Sequence, residues 1–288
     1  MLNEIHVTAP AKINFGLKVL PKREDGFHDI ESIFSTVSLG DEIIVRQTAC
    51  KNECSVKCDL FELPQQNTIT KTYEAFRSLV KQDLPGVEVI IKKTIPAGGG
   101  LGGGSSDAAA FLNALSSLYG TCLTASQKDE IAAQVGSDVF FFLHCDKDGR
   151  GAAVVTGRGE KVLPITRRED LHILLVFPGV SSSTKEAYAL IDEFYESGNN
   201  LDYPALNDLQ GIYNGSVDKW NFVNTFTRVI SSRYPQIEQA VFDLKKNGAL
   251  YTDMSGSGST VFGVFASEQE LQKARNTLSL SWNVRSCS

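Results

Sequence analysis

The alternation of apolar and polar positions predicts a strand, a glycine-rich loop and a helix in succession near the middle of the chain. Residues 87–93 read Val-Glu-Val-Ile-Ile-Lys-Lys, a β-branched and partly alternating run that is typical of a strand. After the loop, apolar residues recur at steps of three and four as far as Tyr119, which indicates an amphipathic helix. Ser105, Ser106 and Asp107 are favourable residues for the start of that helix.

The same patterns predict further elements in both halves of the chain. The expected strands cover residues 5–20 (two strands broken at Pro10), 30–37, 41–47, 171–177 and 282–285, with a glycine turn entering another strand in 254–265. The expected helices cover residues 67–82, 124–135 (opened by a Thr124–Gln127 capping box), 185–196, 219–233 and 236–246, and a last helix follows the Ser267–Glu270 box. This mixture predicts an α+β fold rather than alternating βαβ winding. A glycine-punctuated hairpin at 149–160 suggests two domains, 1–158 and 159–288.

The loop from Pro96 to Asp107 suggests a phosphate-binding site. Six of the seven residues from Gly98 to Gly104 are glycine, and only Leu101 interrupts them. Glycine allows close approach of the backbone, and N–H groups at a helix start attract anions. We therefore predict binding of a nucleotide triphosphate here. The predicted nucleotide-binding residues of this segment are Pro96, Ala97, Gly98, Gly99, Gly100, Leu101, Gly102, Gly103, Gly104, Ser105 and Ser106.

Other interpretations of this loop are weaker. A flexible linker rarely lies between a clear strand and a clear helix. The loop is not a Walker A motif, because no Gly-Lys-Ser/Thr follows it. It matches Gly-x-Gly-x-x-Gly at Gly98, Gly100 and Gly103, but the second strand and acidic residue of a dinucleotide site are missing. A nicotinamide-dependent oxidoreductase therefore remains a rival with little support.

Composition and charge exclude several other classes of protein. The 288 residues carry a net charge of −6, so no overall positive field favours nucleic acid. We expect a cytoplasmic protein without a membrane partner, because no signal peptide or long apolar run is evident. Cys50, Cys54 and Cys58 lie on a stretch that is typical of a polar hairpin. They are spaced more widely than zinc ligands prefer, so we expect no metal site formed by protein side chains alone.

Three short segments contain candidate functional residues. Lys12 and Asn14 share one face of a strand, although a polar pair of this kind is often only solvated. His28 follows Phe27 in a loop, where one ring could stack on a heteroaromatic base and the other could form hydrogen bonds. Asp138 stands beside an apolar run, where a carboxylate either caps a helix or works in a cleft.

Taken together, three stretches in this order resemble the three motifs of the GHMP kinase superfamily. They are residues 9–14 (Ala-Pro-Ala-Lys-Ile-Asn), 96–107 and 254–265. The resemblance implies an N-terminal ribosomal-S5-like domain, a C-terminal ferredoxin-like domain and an active site in the cleft between them. It also implies an ATP-dependent small-molecule kinase, with Mg²⁺ carried by the nucleotide and Ser106 as a candidate ligand.

Segments 23–28, 136–139, 177–181 and 207–209 resemble the superfamily members that phosphorylate a cytidine-diphosphate-linked methylerythritol in the non-mevalonate isoprenoid pathway. By this resemblance Lys12 and Asp138 are catalytic, and Asn67 contacts adenine. The implied substrate-binding residues are Asn14, Phe27, His28, Asp138 and Thr184. Two positions depart from the pattern: Phe27 replaces a tyrosine and Phe140 a proline. A homoserine or mevalonate kinase, or a non-catalytic ATP-binding regulator, remains an alternative.

Overall fold

The computed structural model describes residues 3–80 and 83–288 and divides the chain into two compact units. Unit 1 contains the described residues within 1–11, 39–97 and 102–150, and unit 2 contains 12–38, 98–101 and 151–288. Two long strands, β1 (Glu4–Lys22) and β2 (His28–Lys51), contribute to both. The predicted domain boundary after residue 158 stays a prediction.

Unit 1 packs helices against a small sheet. Its further elements are β3 (Cys54–Cys58), α1 (Thr68–Val80), β4 (Pro85–Lys92), α2 (Gly103–Tyr119), α3 (Ala125–Val135) and α4 (Ser137–Leu143). The second half of β2 pairs antiparallel with β4, and β4 pairs parallel with β3. Apolar side chains of these strands and of α1 and α2 form the core, among them Val45, Phe76, Val89, Phe111 and Leu115.

Unit 2 contains an antiparallel ladder and a separate four-stranded sheet. Its strands are β5 (Ala152–Gly157), β6 (Lys161–Ile165), β7 (His172–Phe177), β8 (Tyr251–Met254), β9 (Val261–Phe265) and β10 (Asn283–Cys287). Its α-helices are α5 (Thr184–Glu196), α6 (Leu209–Asn214), α7 (Thr225–Ile230), α8 (Pro235–Lys246) and α9 (Glu268–Leu278), and short 3₁₀ turns cover Leu206–Asp208 and Val217–Lys219.

The first half of β2 pairs antiparallel with β5, and β5 pairs with β6. The four-stranded sheet is antiparallel in the order β10-β7-β9-β8. An aromatic cluster fills this unit around the buried ring of Phe15, whose centroid lies 4.9 Å from that of Trp220 and 5.6 Å from that of Phe262. Burial of these large rings stabilises the packing of β1 in unit 2.

Several predicted boundaries are wrong for identifiable reasons. Pro10 does not break β1, which pairs with β2 alone among the described strands. An edge strand tolerates proline because no ladder hydrogen bond is lost there. The two strands predicted within 30–47 form the single strand β2. The last two residues of the helix predicted at 67–82 lie outside the described residues.

Two predicted segments are also arranged differently. The helix predicted at 219–233 is confined to α7, because the Asn224 side chain caps it by accepting the Phe226 N–H. Trp220 and Phe222 before it are buried and pack on each other from extended chain. The segment with Cys54 and Cys58 does not form a hairpin with β2 but pairs parallel with β4.

Candidate active site

Lys12 is buried and tied to the glycine loop. Only 3% of it is exposed, and its Nζ donates to Asn14 Oδ1 at 2.9 Å and to the Gly100 carbonyl at 3.0 Å. The ammonium also lies 4.8 Å from the centroid of the Phe34 ring. The interpretation of Lys12 and Asn14 as a solvated pair is therefore wrong. The charge of Lys12 is held at the middle of the glycine-rich stretch.

Asn14 connects Lys12 to the third glycine turn. Its side chain is fully buried, and Oδ1 also accepts the backbone N–H of Gly256 at 2.8 Å and the Ser255 hydroxyl at 3.4 Å. Its Nδ2 faces Ser32 Oγ at 3.4 Å. Asn14 thus positions the lysine, and its predicted contact with substrate stays a prediction.

Two buried polar residues that the sequence did not single out lie next to the turn after β8. Asn224 Nδ2 donates to the carbonyls of Met254 and Gly256 at 2.7 and 2.9 Å. Asp253 accepts the hydroxyl of Thr227 at 2.6 Å and that of Tyr251 at 2.9 Å. Burial raises the pKa of Asp253 to about 6, although these hydrogen bonds oppose the rise.

Three successive carbonyls of the glycine loop accept hydrogen bonds from unit 2. The Gly99 carbonyl accepts the N–H of Thr260 at 3.2 Å, and the Leu101 carbonyl accepts the N–H of Lys12 at 2.9 Å. Between them, the Gly100 carbonyl accepts the Ser255 hydroxyl at 2.9 Å in addition to Lys12 Nζ. Positive φ angles at Gly98 and Gly100, +69° and +74°, allow this course of the backbone.

In unit 1, helix α2 begins at Gly103, earlier than the predicted start at residues 105–107. Gly102 precedes it with left-handed geometry (φ 70°), and no side chain caps the first turn. Ser106 Oγ is buried and has no hydrogen-bond partner among the described residues. An uncapped helix start with an unsatisfied hydroxyl suits an anionic ligand.

A buried ion cluster in unit 1 lies beside this helix start and was also missed. Lys93 Nζ contacts the carboxylates of Asp41 and Asp107, the latter at 2.8 Å. Asp41 Oδ1 accepts the N–H groups of Thr94 and Ile95 at 2.6 and 2.8 Å, which fixes the chain just before the glycine loop. Burial raises the pKa of Asp107 to about 7, although the Lys93 ammonium opposes the rise.

The sequence gives only a weak signal for this cluster. Lys93 ends a predicted strand and Asp107 lies at a predicted helix start, but Asp41 is more than fifty positions away from either its lysine or the loop it anchors. Burial lowers the pKa of Lys93, and the carboxylates of Asp107 and Asp41 outweigh that effect and raise it. The ammonium therefore links the end of β4 to α2 as a charged group.

The predicted base-binding pair separates into an exposed and a buried residue. Phe27 is 47% exposed, whereas His28 is buried and stacks on Tyr188, with 5.0 Å between ring centroids. His28 Nδ1 donates to the Leu20 carbonyl at 2.8 Å, and Nε2 lies 3.2 Å from Asp192 Oδ1. Both ring nitrogens of His28 therefore already have contacts within unit 2.

The remaining predicted residues occupy helix starts. Asp138 is half-buried in the first turn of α4, whose N-cap residue is Gly136. Asn67 caps α1, because its Oδ1 accepts the N–H groups of Ile69 and Thr70. Thr184 begins α5, with Oγ1 3.1 Å from Ser257 Oγ. The predicted substrate and adenine contacts of these residues stay predictions.

Two negative findings apply to residues 3–80 and 83–288 alone. They contain no helix long and apolar enough to cross a membrane. They also contain no group of three or more His, Cys, Asp or Glu side chains arranged to hold a metal ion.

Comparison with protein families places the chain in a class of kinases. Residues 67–146 match the GHMP kinases N terminal domain, and residues 202–284 match the GHMP kinases C terminal domain. A homoserine kinase structure from Cytophaga hutchinsonii has the same fold, with a TM-score of 0.71 at 18% identity over 99% of this chain and 94% of that one.

Relatives with higher sequence identity indicate which kinases of this class the chain resembles. Two proteins named 4-diphosphocytidyl-2-C-methyl-D-erythritol kinase, from Treponema pallidum and Thermodesulfovibrio yellowstonii, are each 37% identical. The first alignment covers 98% of this chain and 97% of the relative, and the second covers 92% and 90%. The crystal structure of a 4-(cytidine 5'-diphospho)-2C-methyl-D-erythritol kinase superposes with a TM-score of 0.82 at 27% identity, covering 98% of both chains. The chain belongs to the GHMP kinase family, in the group of 4-diphosphocytidyl-2-C-methyl-D-erythritol kinases.

The contact between the glycine loop and the 254–258 turn yields a matched pair of variants. A Cβ on Gly100 would lie 2.0 Å from the Ser255 carbonyl oxygen, whereas a Cβ on Gly98 would meet only Ser181 Oγ at 3.5 Å. Alanine at either position carries the same left-handed strain of about 1–2 kcal/mol. We expect Gly100→Ala to lower the affinity for ATP and the free energy of unfolding in urea much more than Gly98→Ala does. Equal losses, measured by calorimetry and urea unfolding, would contradict this packing.

The raised pKa of Asp253 predicts a pH dependence of stability. Between about pH 4 and 6 the folded protein keeps a proton that the unfolded chain, with an ordinary aspartate pKa near ~3.9, releases. The contribution of Asp253 to the free energy of unfolding therefore falls as pH rises through this window. We expect the free energy of unfolding to depend less on pH in Asp253→Asn than in the wild type, when both are measured by urea unfolding at about pH 4.5 and 7. Parallel slopes for the variant and the wild type would be the contrary result.

Proposed function

We propose that this protein transfers the terminal phosphoryl group of ATP to the 2-hydroxyl of 4-diphosphocytidyl-2-C-methyl-D-erythritol, in the non-mevalonate route to isoprenoid precursors. The observation that carries the proposal is the buried Lys12 ammonium bound to the Gly100 carbonyl. It stands in a chain whose near full-length relatives carry this kinase name.

The nucleotide binds through the backbone of the glycine loop and the first turn of α2. The carbonyls of Gly99, Gly100 and Leu101 are taken by protein donors, so N–H groups are what this stretch offers to phosphate oxygens. Hydrogen bonds to a charged group contribute about 1.5–3 kcal/mol each. Several of them, with the dipole of α2, are sufficient to hold a triphosphate.

The residues present fit a magnesium ion that enters with the nucleotide. The buried Ser106 hydroxyl lacks a partner among the described residues and is a hard oxygen ligand of the kind that Mg²⁺ prefers. Bound there, the ion would neutralise charge on the phosphate oxygens.

Asp138 and Lys12 act on the transferred group. The substrate 2-hydroxyl oxygen attacks the γ-phosphorus, its proton passes to the Asp138 carboxylate, and the bond to the β-phosphate oxygen breaks to release ADP. A carboxylate is a much weaker base than an alkoxide, so proton transfer accompanies attack and does not precede it. The Lys12 ammonium offsets negative charge on the moving phosphoryl group.

Substrate selection falls to residues near the start of β2 and of α5. The exposed Phe27 ring offers a stacking face for cytosine. His28 can bond to the base only if its ring exchanges a present contact, with the Leu20 carbonyl or with Asp192, for a contact with the substrate. Asn14 and Thr184 serve the polyol side, and Asn67 serves adenine. The Phe27-His28 pair favours this substrate over homoserine or mevalonate, neither of which contains a heteroaromatic base.

A substrate panel tests the proposal. The wild type should release ADP rapidly with 4-diphosphocytidyl-2-C-methyl-D-erythritol and ATP, and not with homoserine or mevalonate. Phosphorylated product should be identified by mass spectrometry. Turnover of homoserine or mevalonate instead would move the chain to another substrate. ATP binding without ADP release for any acceptor would indicate a non-catalytic regulator.

The role of Asp138 has its own test. We expect Asp138→Asn to lower kcat by on the order of 10²-fold or more, the scale of a lost general base, while calorimetry shows unchanged ATP binding. Asp148→Asn removes an exposed carboxylate from the loop after α4 and should leave both quantities unchanged. Near-normal turnover of Asp138→Asn would remove this residue from the mechanism.

A further inference from the structure

Arg158 stacks on the exposed ring of Phe27. Its guanidinium carbon lies 3.6 Å from the ring centroid, well inside the range of a cation–π contact. Arg158 lies in the turn that joins β5 to β6, and its side chain is exposed. Neither the sequence patterns nor the resemblance to known kinases singled out this residue.

Local contacts hold both partners of this pair in place. The Glu160 carboxylate accepts the Arg158 N–H at 2.6 Å and fills the space beside Gly157. On the other side, the Phe27 N–H donates to Asp25 Oδ1 at 3.1 Å. Because the two backbones are fixed by their own turns, the juxtaposition of the two side chains is built into unit 2.

The neighbouring cations form ion pairs with carboxylates, whereas Arg158 forms none with the described residues. Lys22 pairs with Asp192 at 2.7 Å, and Arg23 pairs with Asp25 and Asp29 at 2.6 and 2.8 Å. Within the described part of the chain, no carboxylate lies within ion-pair distance of the Arg158 guanidinium. An exposed aromatic ring beside a cation without a counter-ion matches a ligand that combines a flat base with negative charge.

His28 does not offer the same accessible chemistry. It is buried, and its two ring nitrogens contact the Leu20 carbonyl and the Asp192 carboxylate. Recognition of a substrate approaching from solvent therefore begins with Phe27 and Arg158. A guanidinium has several donors in one plane, which suits phosphate oxygens better than a single ammonium does.

We propose that Arg158 is a further substrate-binding residue, whose guanidinium binds the diphosphate of a pyrimidine nucleoside diphosphate while the base stacks on Phe27. This proposal rests on the proposed function, because it assigns the diphosphate of that same substrate. Arg158 acts on binding and not on the transferred phosphoryl group. Its loss should therefore raise the KM for the cytidine-diphosphate substrate and leave kcat and the KM for ATP unchanged.

Direct binding of CDP and of cytidine, measured by calorimetry, tests the proposal without turnover. Arg158→Ala should weaken CDP binding by about 10- to 100-fold, the effect of one hydrogen bond to a charged group. It should leave cytidine binding unchanged, because cytidine has no phosphate. Arg158→Lys should lie between the wild type and the alanine variant for CDP. Phe27→Leu should weaken both ligands.

Arg285→Ala serves as the matched control, since it removes an exposed arginine from β10 and should bind both ligands as the wild type does. Unchanged CDP binding by Arg158→Ala would overturn the role of Arg158 alone. Equal weakening of CDP and cytidine would also overturn it, because Arg158 would then act only through stacking. A wild type that binds neither ligand would overturn the proposed substrate as well.

Discussion

The side-chain amide of Asn14 is the constraint on which the arrangement of Lys12 and the 254–258 turn depends. Its single carbonyl oxygen accepts the Lys12 ammonium and the Gly256 N–H, at 2.9 and 2.8 Å. The residue is fully buried, so neither contact competes with water. An amide suits this place, because a carboxylate there would neutralise the lysine and an apolar residue would leave a buried ammonium with an unsatisfied donor.

The same group of residues fixes the backbone course of the glycine loop. Lys12 and Ser255 both donate to the Gly100 carbonyl, and Thr260 donates to that of Gly99. The Ser255 carbonyl approaches Gly100 so closely that no side chain fits. The entropic disadvantage of so many glycines is thereby offset, because each close approach needs a backbone without Cβ. In unit 1, the Asp41–Lys93–Asp107 cluster fixes the chain on the side that enters the loop from β4.

Local patterns predicted the elements of this fold more accurately than their boundaries. The α+β class, the strand before the loop and the Thr124 capping box are confirmed, because each depends on residues close in sequence. The uninterrupted course of β1 through Pro10 depends on its edge position, which no local pattern contains. The family was predictable because three separate motifs, two of them rich in glycine, occur in a fixed order.

The supporting residues of the site were not predictable in this way. Asn224 contacts a backbone carbonyl that is distant in sequence, and Asp253 contacts a hydroxyl on α7. Asp41 contacts Lys93, more than fifty residues away. Arg158 carries no pattern at all, since its position over Phe27 arises from two separate turns. These positions are set by tertiary contacts between distant residues, which spacing along the chain does not reveal.

The central claim is that the backbone N–H groups between Gly98 and Ser106 bind the phosphates of the nucleotide. Amide hydrogen exchange of this stretch, with and without a non-hydrolysable ATP analogue, tests it most directly. The account predicts slower exchange across the glycine loop and the first turn of α2 when the analogue is bound. Unchanged exchange there, with slowing elsewhere in the chain, would contradict it.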